Sequence, residues 1–148
     1  MSLPKGVDIR RVTSLPDQID LLRAEAVAEG FENMESLFSQ WQDGSNRFTR
    51  PGELLAVAWV DGDLAGIGGI TEDFIDPTAL RMRRFYVRAN YRRQGVGRAI
   101  ANFVLETARP LDRQIVVHAA TEEAAAFWEA LGFERIMRDK TTHGLPSR

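Results

Sequence analysis

The sequence contains no cysteine in its 148 residues. Disulfide bonds, zinc–thiolate sites and a cysteine nucleophile are therefore excluded, and we expect no metal site. No apolar run approaches the roughly 20 residues that span a membrane, and the N-terminus lacks the basic and then apolar segment of a secretion signal. We therefore expect one cytoplasmic domain, residues 1–148, with room for a core and no contact with a membrane.

The chain also has little net charge, −2, but the charge is unevenly distributed. Residues 81–98 hold seven arginines and no acid, so the rest of the chain carries −9. A cationic patch confined to one strand and turn suits a small polyanion better than a nucleic-acid duplex, which calls for a broad basic face. We expect a small anionic ligand there and no nucleic-acid partner.

Within this patch, two glycines lie where a predicted strand gives way to a predicted helix. The start of a helix offers N–H groups without intrahelical partners and the positive end of the helix dipole. Glycine has no side chain to hold an anion away, and the nearby arginines raise the potential, so this turn predicts a pyrophosphate site. A tight turn that only uses the backbone freedom of glycine is the alternative. The predicted site comprises Arg92, Arg93, Gln94, Gly95, Val96, Gly97 and Arg98.

Two motifs in this order resemble those of a known family. Arg92-x-x-Gly95-x-Gly97 resembles the (Gln/Arg)-x-x-Gly-x-(Gly/Ala) signature of the GNAT superfamily of acyl-CoA-dependent acyltransferases, and residues 124–133 resemble its helix that ends in a Tyr-Glu-x-x-Gly-Phe type motif. The resemblance implies a single-domain α/β fold, α+β by some schemes. Its mixed, mostly antiparallel sheet would have about six or seven strands, flanked by about four helices. Members of the family are often dimers, which points to a homodimer, although the sequence leaves the oligomeric state open.

The resemblance further implies that acetyl-CoA is the co-substrate. In the family, the amides of the glycine turn bind the pyrophosphate of coenzyme A, the preceding strand pairs with the pantetheine arm, and a backbone N–H of that strand polarises the thioester carbonyl. The residues implied for these contacts beyond the turn are Phe85, Tyr86, Val87, Thr121, Phe127 and Trp128.

Transfer to an amine also requires a base for the amine and a proton for the departing thiolate. Trp128 takes the place of the tyrosine acid that the family often uses, and its indole N–H can donate a hydrogen bond but does not release a proton near neutral pH. Three base candidates remain. His118 follows a short strand, and histidine is a residue type suited to act as a base near neutral pH; the alternative is that it is buried against the backbone. Glu72 ends a hairpin strand, or forms a surface salt bridge. His143 is third: we expect it to be exposed to solvent, and the alternative is a folded-back tail that places it at the cleft.

The acceptor side is less well defined by the sequence. In the family, the loop and helix after the first strand border the acceptor, which points to Phe31, Glu32, Glu35 and Trp41. An acidic and aromatic lining could hold an ammonium group. The alternatives are a solvated helix face for the two acids and core packing for the apolar side chains.

Three arginines of the predicted central strand bear on the same question. A guanidinium that pointed into the cleft would bind a carboxylate or phosphate of the acceptor. Because neighbouring strand residues face opposite sides, Arg83 and Arg84 cannot both serve, and we expect Arg81, Arg83 and Arg84 on the outer face.

The preceding predicted hairpin strand contains Gly66, Gly68 and Gly69. Glycine inside a strand indicates a bulge or a close approach by something flat, or else a loosely packed edge.

The leading hypothesis from the sequence is transfer of an acetyl group from acetyl-CoA to a primary amine of a small-molecule acceptor, by direct attack on the thioester. The alternative is a non-catalytic acyl-CoA-binding or sensor domain of the same fold.

Overall fold

The computed structural model describes residues 6–146, which form seven β-strands and four α-helices. The strands are β1 (Val7–Val12), β2 (Leu54–Val60), β3 (Asp63–Glu72), β4 (Leu80–Val87), β5 (Ile115–Val117), β6 (Glu134–Arg138) and β7 (Thr141–Leu145). The helices are α1 (Ile19–Ala28), α2 (Asn33–Asp43), α3 (Val96–Ala108) and α4 (Glu122–Ala130).

All seven strands join in one mixed sheet, in the order β1-β2-β3-β4-β5-β7-β6. Only β4 and β5 are parallel neighbours, and every other pair is antiparallel. Helices α1 and α2 pack against one face of the sheet, and α3 and α4 pack against the other, so each face has its own apolar core. The fold class predicted from the sequence is confirmed.

The β2–β3 hairpin shows how closely local sequence determines some elements. Its two-residue loop, Asp61-Gly62, has φ angles of 50° and 88°, the left-handed backbone that a type I′ turn requires at both positions. Val60 consequently pairs directly with Asp63, and the apolar runs on either side become adjacent inner strands.

The sheet opens between β4 and β5. These strands pair only at Leu80 with Ile115 and at Arg81 with Val116. Beyond that point β5 keeps its antiparallel pairing with β7 but loses β4. The remaining length of β4 therefore has no neighbouring strand on that side, which leaves a cleft at the carboxyl ends of the two strands.

A β-bulge shapes the exposed half of β4. The pairing of β3 with β4 shifts between Ile67 and Gly69, so Gly68 faces two residues of β4, Arg84 and Phe85. Arg84 takes a φ of 63°, and a Cβ on Gly68 would lie 2.5 Å from the Phe85 ring. The glycines thus mark a bulge and a close approach by a flat ring, and the alternative of a loosely packed edge is wrong.

Candidate active site

The cleft between β4 and β5 has a volume of about 780 Å³, within the roughly 300–1,000 Å³ that is usual for small-molecule sites. Its walls are β4, the end of β5 and the first turns of α2, α3 and α4. The predicted cofactor and catalytic residues that line it are Phe85, Tyr86, Val87, Arg92, Gly97, His118, Thr121, Phe127 and Trp128.

The N-terminus of α3 opens on this cleft without a side-chain cap. Gly95 is the N-cap residue, with φ 83°, and no side chain bonds the amides of the first turn in the part of the chain that the structure describes. Arg93, two residues earlier, is also left-handed, with φ 62°. Free amides at a helix start, behind a turn of this kind, form a concave anion site.

The three arginines of this turn have different roles. Arg92 donates from Nε to the carbonyl oxygen of Val87 at 2.8 Å and from its terminal nitrogens to the Glu29 carboxylate of α1 at 2.5 and 2.9 Å. These bonds from Arg92 hold the pKa of Glu29 below its usual value. Arg93 and Arg98 are exposed and have no acidic partner among residues 6–146. Arg92 thus fastens the turn to β4, whereas Arg93 and Arg98 keep their charges available to a ligand.

The close packing around position 97 also favours glycine there. A Cβ at this position would lie 3.3 Å from Cε1 of Phe127 and 3.3 Å from Cγ2 of Val87. Gly97 therefore lets α3 approach β4 and α4 closely. At Gly95 the positive φ itself favours glycine.

The backbone of β4 presents polar groups to the cleft at alternate residues. The carbonyl oxygen of Phe85 accepts a bond from Asn33 Nδ2 at 2.9 Å, and that of Val87 accepts one from Arg92. Since a strand residue points its N–H and C=O to the same side, the amides of Phe85 and Val87 also face the cleft, away from β3. Tyr86 pairs with Ile67 of β3, so its amide faces the sheet.

Trp128, in the position of the family's tyrosine, is only 5 % exposed. It packs edge-to-face against Phe85 and Phe127, both with ring centroids 4.9 Å away, and against Phe133 at 5.3 Å. The side chain therefore forms an apolar floor of the cleft and joins α4 to β4.

Of the predicted bases, His118 is the one that lies in the cleft. It follows β5, is exposed, and has no hydrogen-bond or ionic partner within the described chain. The alternative of a buried histidine is wrong. Glu72 must be corrected: it lies outside the cleft, with its carboxylate oxygens 3.7 Å from Arg50 Nη1 and 3.7 Å from Arg113 Nη2. The antiparallel course of β3 carries Glu72 to the paired end of β4, away from the opening.

His143 is not the exposed residue that we expected. Its side chain is 0 % exposed, and its two ring nitrogens lie 2.8 Å from Glu129 Oε2 and 2.7 Å from Thr142 Oγ1. The cause is the strand order, which inserts β7 between β5 and β6 and so buries its centre. It does not line the cleft.

The acceptor-side predictions divide in the same way. Phe31 and Glu32 line the cleft. Glu35 instead accepts from Arg23 Nε at 2.6 Å, which lowers the pKa of that carboxyl, and Trp41 packs into the core beneath α1 and α2.

Asn33 is a cleft residue that the sequence did not single out. It is the first residue of α2 and bonds the β4 carbonyl through Nδ2, while its Oδ1 is buried without a partner among the described residues. An unsatisfied buried acceptor is costly, so it is a natural partner for a donor on a bound ligand. Nothing in the local sequence marks it, because its position depends on how α2 meets β4.

The central arginines correct our expectation about strand faces. Arg83 and Arg84 both line the cleft, because the bulge at Arg84 interrupts the alternation of side chains. Burial lowers the pKa of Arg84 to about 10, with a further contribution from the charge of Arg83. The pKa of Arg83 is also lowered, first by burial and then by the charge of Arg81.

Sequence and structure comparisons place this arrangement among known proteins. The family model described as "Acetyltransferase (GNAT) domain" matches residues 22–147. Among solved structures, the chain is similar to a protein from Exiguobacterium sp. 255-15 assigned as an acetyltransferase, with 28 % identity, 94 % of this chain and 92 % of that chain covered, and a TM-score of 0.82.

Two further structures share the fold at lower identity. An acetyltransferase from Streptococcus agalactiae 2603 has 17 % identity, covers 95 % of this chain and 98 % of its own, and has a TM-score of 0.72. The GNAT family N-acetyltransferase YhbS from Escherichia coli, solved in complex with CoA, has 18 % identity, coverage of 98 % and 83 %, and a TM-score of 0.68. No curated protein sequence matches the chain.

Two features are absent from residues 6–146. None of their helices combines the length and the apolar character needed to cross a membrane. Their His, Asp and Glu side chains form no group of three or more that could hold a metal ion.

Proposed function

Because this chain belongs to the GNAT family of acyl-CoA-dependent acetyltransferases, we propose that it transfers the acetyl group of acetyl-CoA to the primary amine of a small molecule, by direct attack of the amine on the thioester. The observation that carries the proposal is the shared opening of two features on one cleft: the uncapped N-terminus of α3 and the unpaired edge of β4. The CoA bound by YhbS, a relative of the same fold, supports it.

The charges and the free backbone amides around the cleft support coenzyme A as the ligand. The first amides of α3, together with Arg93 and Arg98, would hold the pyrophosphate. The amides of Phe85 and Val87 would pair with the pantetheine arm, as an added strand would, and one of them would polarise the thioester carbonyl. Acetyl-CoA, when bound, supplies the activated acetyl group.

Thr121 has a structural role beside its proposed cofactor contact. Its Oγ1 accepts the N–H of Ala124 at 3.0 Å and so caps α4. The hydroxyl hydrogen stays free to donate to the pantetheine arm. Phe127 and Trp128 would cover the arm from the same helix.

Proton handling falls to His118 in this proposal. It lies in the cleft without a competing partner, so its ring can accept a proton from the attacking amine. Trp128 has no proton to give near neutral pH, and the thiolate would therefore recover a proton from protonated His118 or from water.

One pair of measurements tests the proposal against its alternative, the non-catalytic acyl-CoA-binding or sensor domain. Thiol release from acetyl-CoA is followed with a panel of primary amines, and coenzyme A binding is measured by calorimetry on the same preparation. We expect binding together with amine-dependent release. Binding without turnover across a broad panel would favour the sensor, and absence of binding would contradict both.

We further propose a homodimer in the cytoplasm, as expected from the sequence. Sedimentation velocity of the purified protein and fractionation of cells would check these two points.

A further inference from the structure

The seven arginines of residues 81–98 divide by whether an acid neutralises them. Three of them form ion pairs. Arg81 donates from Nε to Asp73 Oδ1 at 2.8 Å, and Arg92 pairs with Glu29. Arg88 Nε lies 3.8 Å from Glu25 Oε2. The four without an ion pair in the described part of the chain are Arg83, Arg84, Arg93 and Arg98. Arg93 and Arg98 lie at the start of α3, where phosphates would account for their charge, but Arg83 and Arg84 lie in the middle of β4.

The position of Arg83 and Arg84 side by side is electrostatically unfavourable. The Arg84 side chain donates from Nη2 to Gln40 Oε1 at 3.0 Å, and its Nε is buried without a partner among residues 6–146. The Arg83 guanidinium lies 5.8 Å from the centre of the Phe74 ring. Burial, and then the charge of Arg83, lowers the pKa of Arg84.

Glu53 and Asp73 attract Arg83 electrostatically, but neither forms an ion pair with Arg83 or Arg84. Glu53 is 6 % exposed, and its two carboxylate oxygens accept the N–H groups of Arg50 at 3.1 Å and Glu72 at 2.9 Å. Asp73 is committed to Arg81 and Arg138. Two partly buried cations that face a cleft without an ion-pair partner are suited to bind an anion from outside the protein.

We propose that Arg83 and Arg84 form the subsite for an anionic oxygen group, a carboxylate or a phosphate, on the amine acceptor. The proposal rests on the proposed amine acetylation and specifies its substrate class: a small molecule with a primary amine at one end and an anion at the other. Glu32, in the same cleft, offers a carboxylate acceptor for the amine N–H groups.

Matched acceptors test this directly. With acetyl-CoA saturating, kcat/KM is measured for β-alanine against β-alaninamide and for 2-aminoethyl phosphate against ethanolamine. We expect the anionic member to be preferred by at least about 10-fold in one pair or both, the scale of a charged hydrogen bond. The pair with the larger preference identifies carboxylate or phosphate as the group that is bound.

Variants then assign the preference to residues. Arg83→Met and Arg84→Met should each reduce the anionic-to-neutral ratio of kcat/KM by about 10-fold or more, with the KM for acetyl-CoA changed less than 3-fold. Arg84→Lys should recover part of the ratio, because it restores the charge but not the planar fork. Arg10→Met is the matched control, since Arg10 lies on β1 with a side chain 69 % exposed and pairs with Asp8; it should leave the ratio unchanged.

The outcomes separate this inference from the proposed function. Turnover of neutral amines as fast as anionic ones, or a ratio that the Arg83 and Arg84 variants do not change, overturns the inference and leaves amine acetylation standing. If the variants change only the preference for succinyl-CoA over acetyl-CoA, the anion belongs to the acyl group and the inference is again wrong. If no amine turns over, the binding of β-alanine and of 2-aminoethyl phosphate is measured by calorimetry in the presence of CoA. Binding that Arg84→Met weakens supports the anion subsite. Absence of binding, or binding that Arg84→Met does not weaken, overturns the inference.

Discussion

Replacement of Asp73 should strongly lower the free energy of unfolding. Its side chain is 0 % exposed and binds Arg81 Nε at 2.8 Å and Arg138 Nη2 at 3.0 Å. Arg81, itself 5 % exposed, also donates to the Lys140 carbonyl oxygen at 2.9 Å and to Thr141 Oγ1 at 2.6 Å. This clamp fixes β4 to the β6–β7 turn, beside the cleft.

The expected magnitude follows from the burial of both partners. Removing one member of a buried ion pair leaves an uncompensated charge and costs about 3–5 kcal/mol. In a domain of this size, 1 kcal/mol lowers Tm by about 4 °C, so we expect Asp73→Ala to lower Tm by roughly 12–20 °C. Asp8→Ala breaks an exposed pair, with side chains 53 % and 69 % exposed, and should cost about 0–1 kcal/mol.

Acid stability provides a second readout of the same carboxyl. Burial alone would raise the pKa of Asp73, but the hydrogen bond and charge of Arg81 outweigh burial and lower it below the usual value. A lowered folded-state pKa stabilises the protein fully above the unfolded-state pKa of about 4, and that stability is lost as pH falls through the folded-state value. Asp73→Asn should therefore show a shallower loss of stability below about pH 4.

Thermal and urea unfolding, each followed by circular dichroism between pH 2.5 and 7, would measure both effects. A loss below about 1 kcal/mol for Asp73→Ala, no larger than that of Asp8→Ala, would refute the view that this buried pair clamps β4.

Three further predictions concern the cleft. His118→Ala should lower kcat by about 10²–10⁴-fold with little change in coenzyme A affinity, as measured by steady-state kinetics and calorimetry. An equal loss of kcat in Glu72→Gln would indicate that Glu72 takes part in catalysis. Gly95→Leu places a side chain on a backbone with φ 83° and should weaken coenzyme A binding by more than about 10-fold while costing about 1–2 kcal/mol of stability; unchanged affinity would make the loop only a turn. Arg93→Gln and Arg98→Gln should each weaken coenzyme A binding by about 3- to 10-fold and make it less sensitive to salt, and a change confined to kcat would contradict a phosphate contact.

The accuracy of sequence-based prediction varied with the range of the interactions involved. Local signals located the Asp61-Gly62 hairpin, β4 and the start of α3, because turn chemistry and side-chain periodicity act over a few residues. His118 reached the cleft as predicted, since the end of a strand beside a known motif is also a local position. Its role as a base stays a prediction.

The wrong predictions depended on contacts between distant segments. Glu72 lies in a salt bridge outside the cleft because β3 runs antiparallel to β4. His143 is buried because β7 lies between β5 and β6. Arg83 and Arg84 reached the same cleft through a bulge, whose register shift appears only when β3 and β4 are paired. Asn33 has no local signal at all.

The sequence by itself determined the family and the order of the elements, and it predicted an anion site at the start of α3, since these depend on residue types at short spacing. Only the tertiary structure decided which arginines are neutralised, which base faces the opening and which backbone amides of β4 are free. Ion pairs and strand register depend on residues far apart in the chain, and they are therefore fixed only when the sheet has formed.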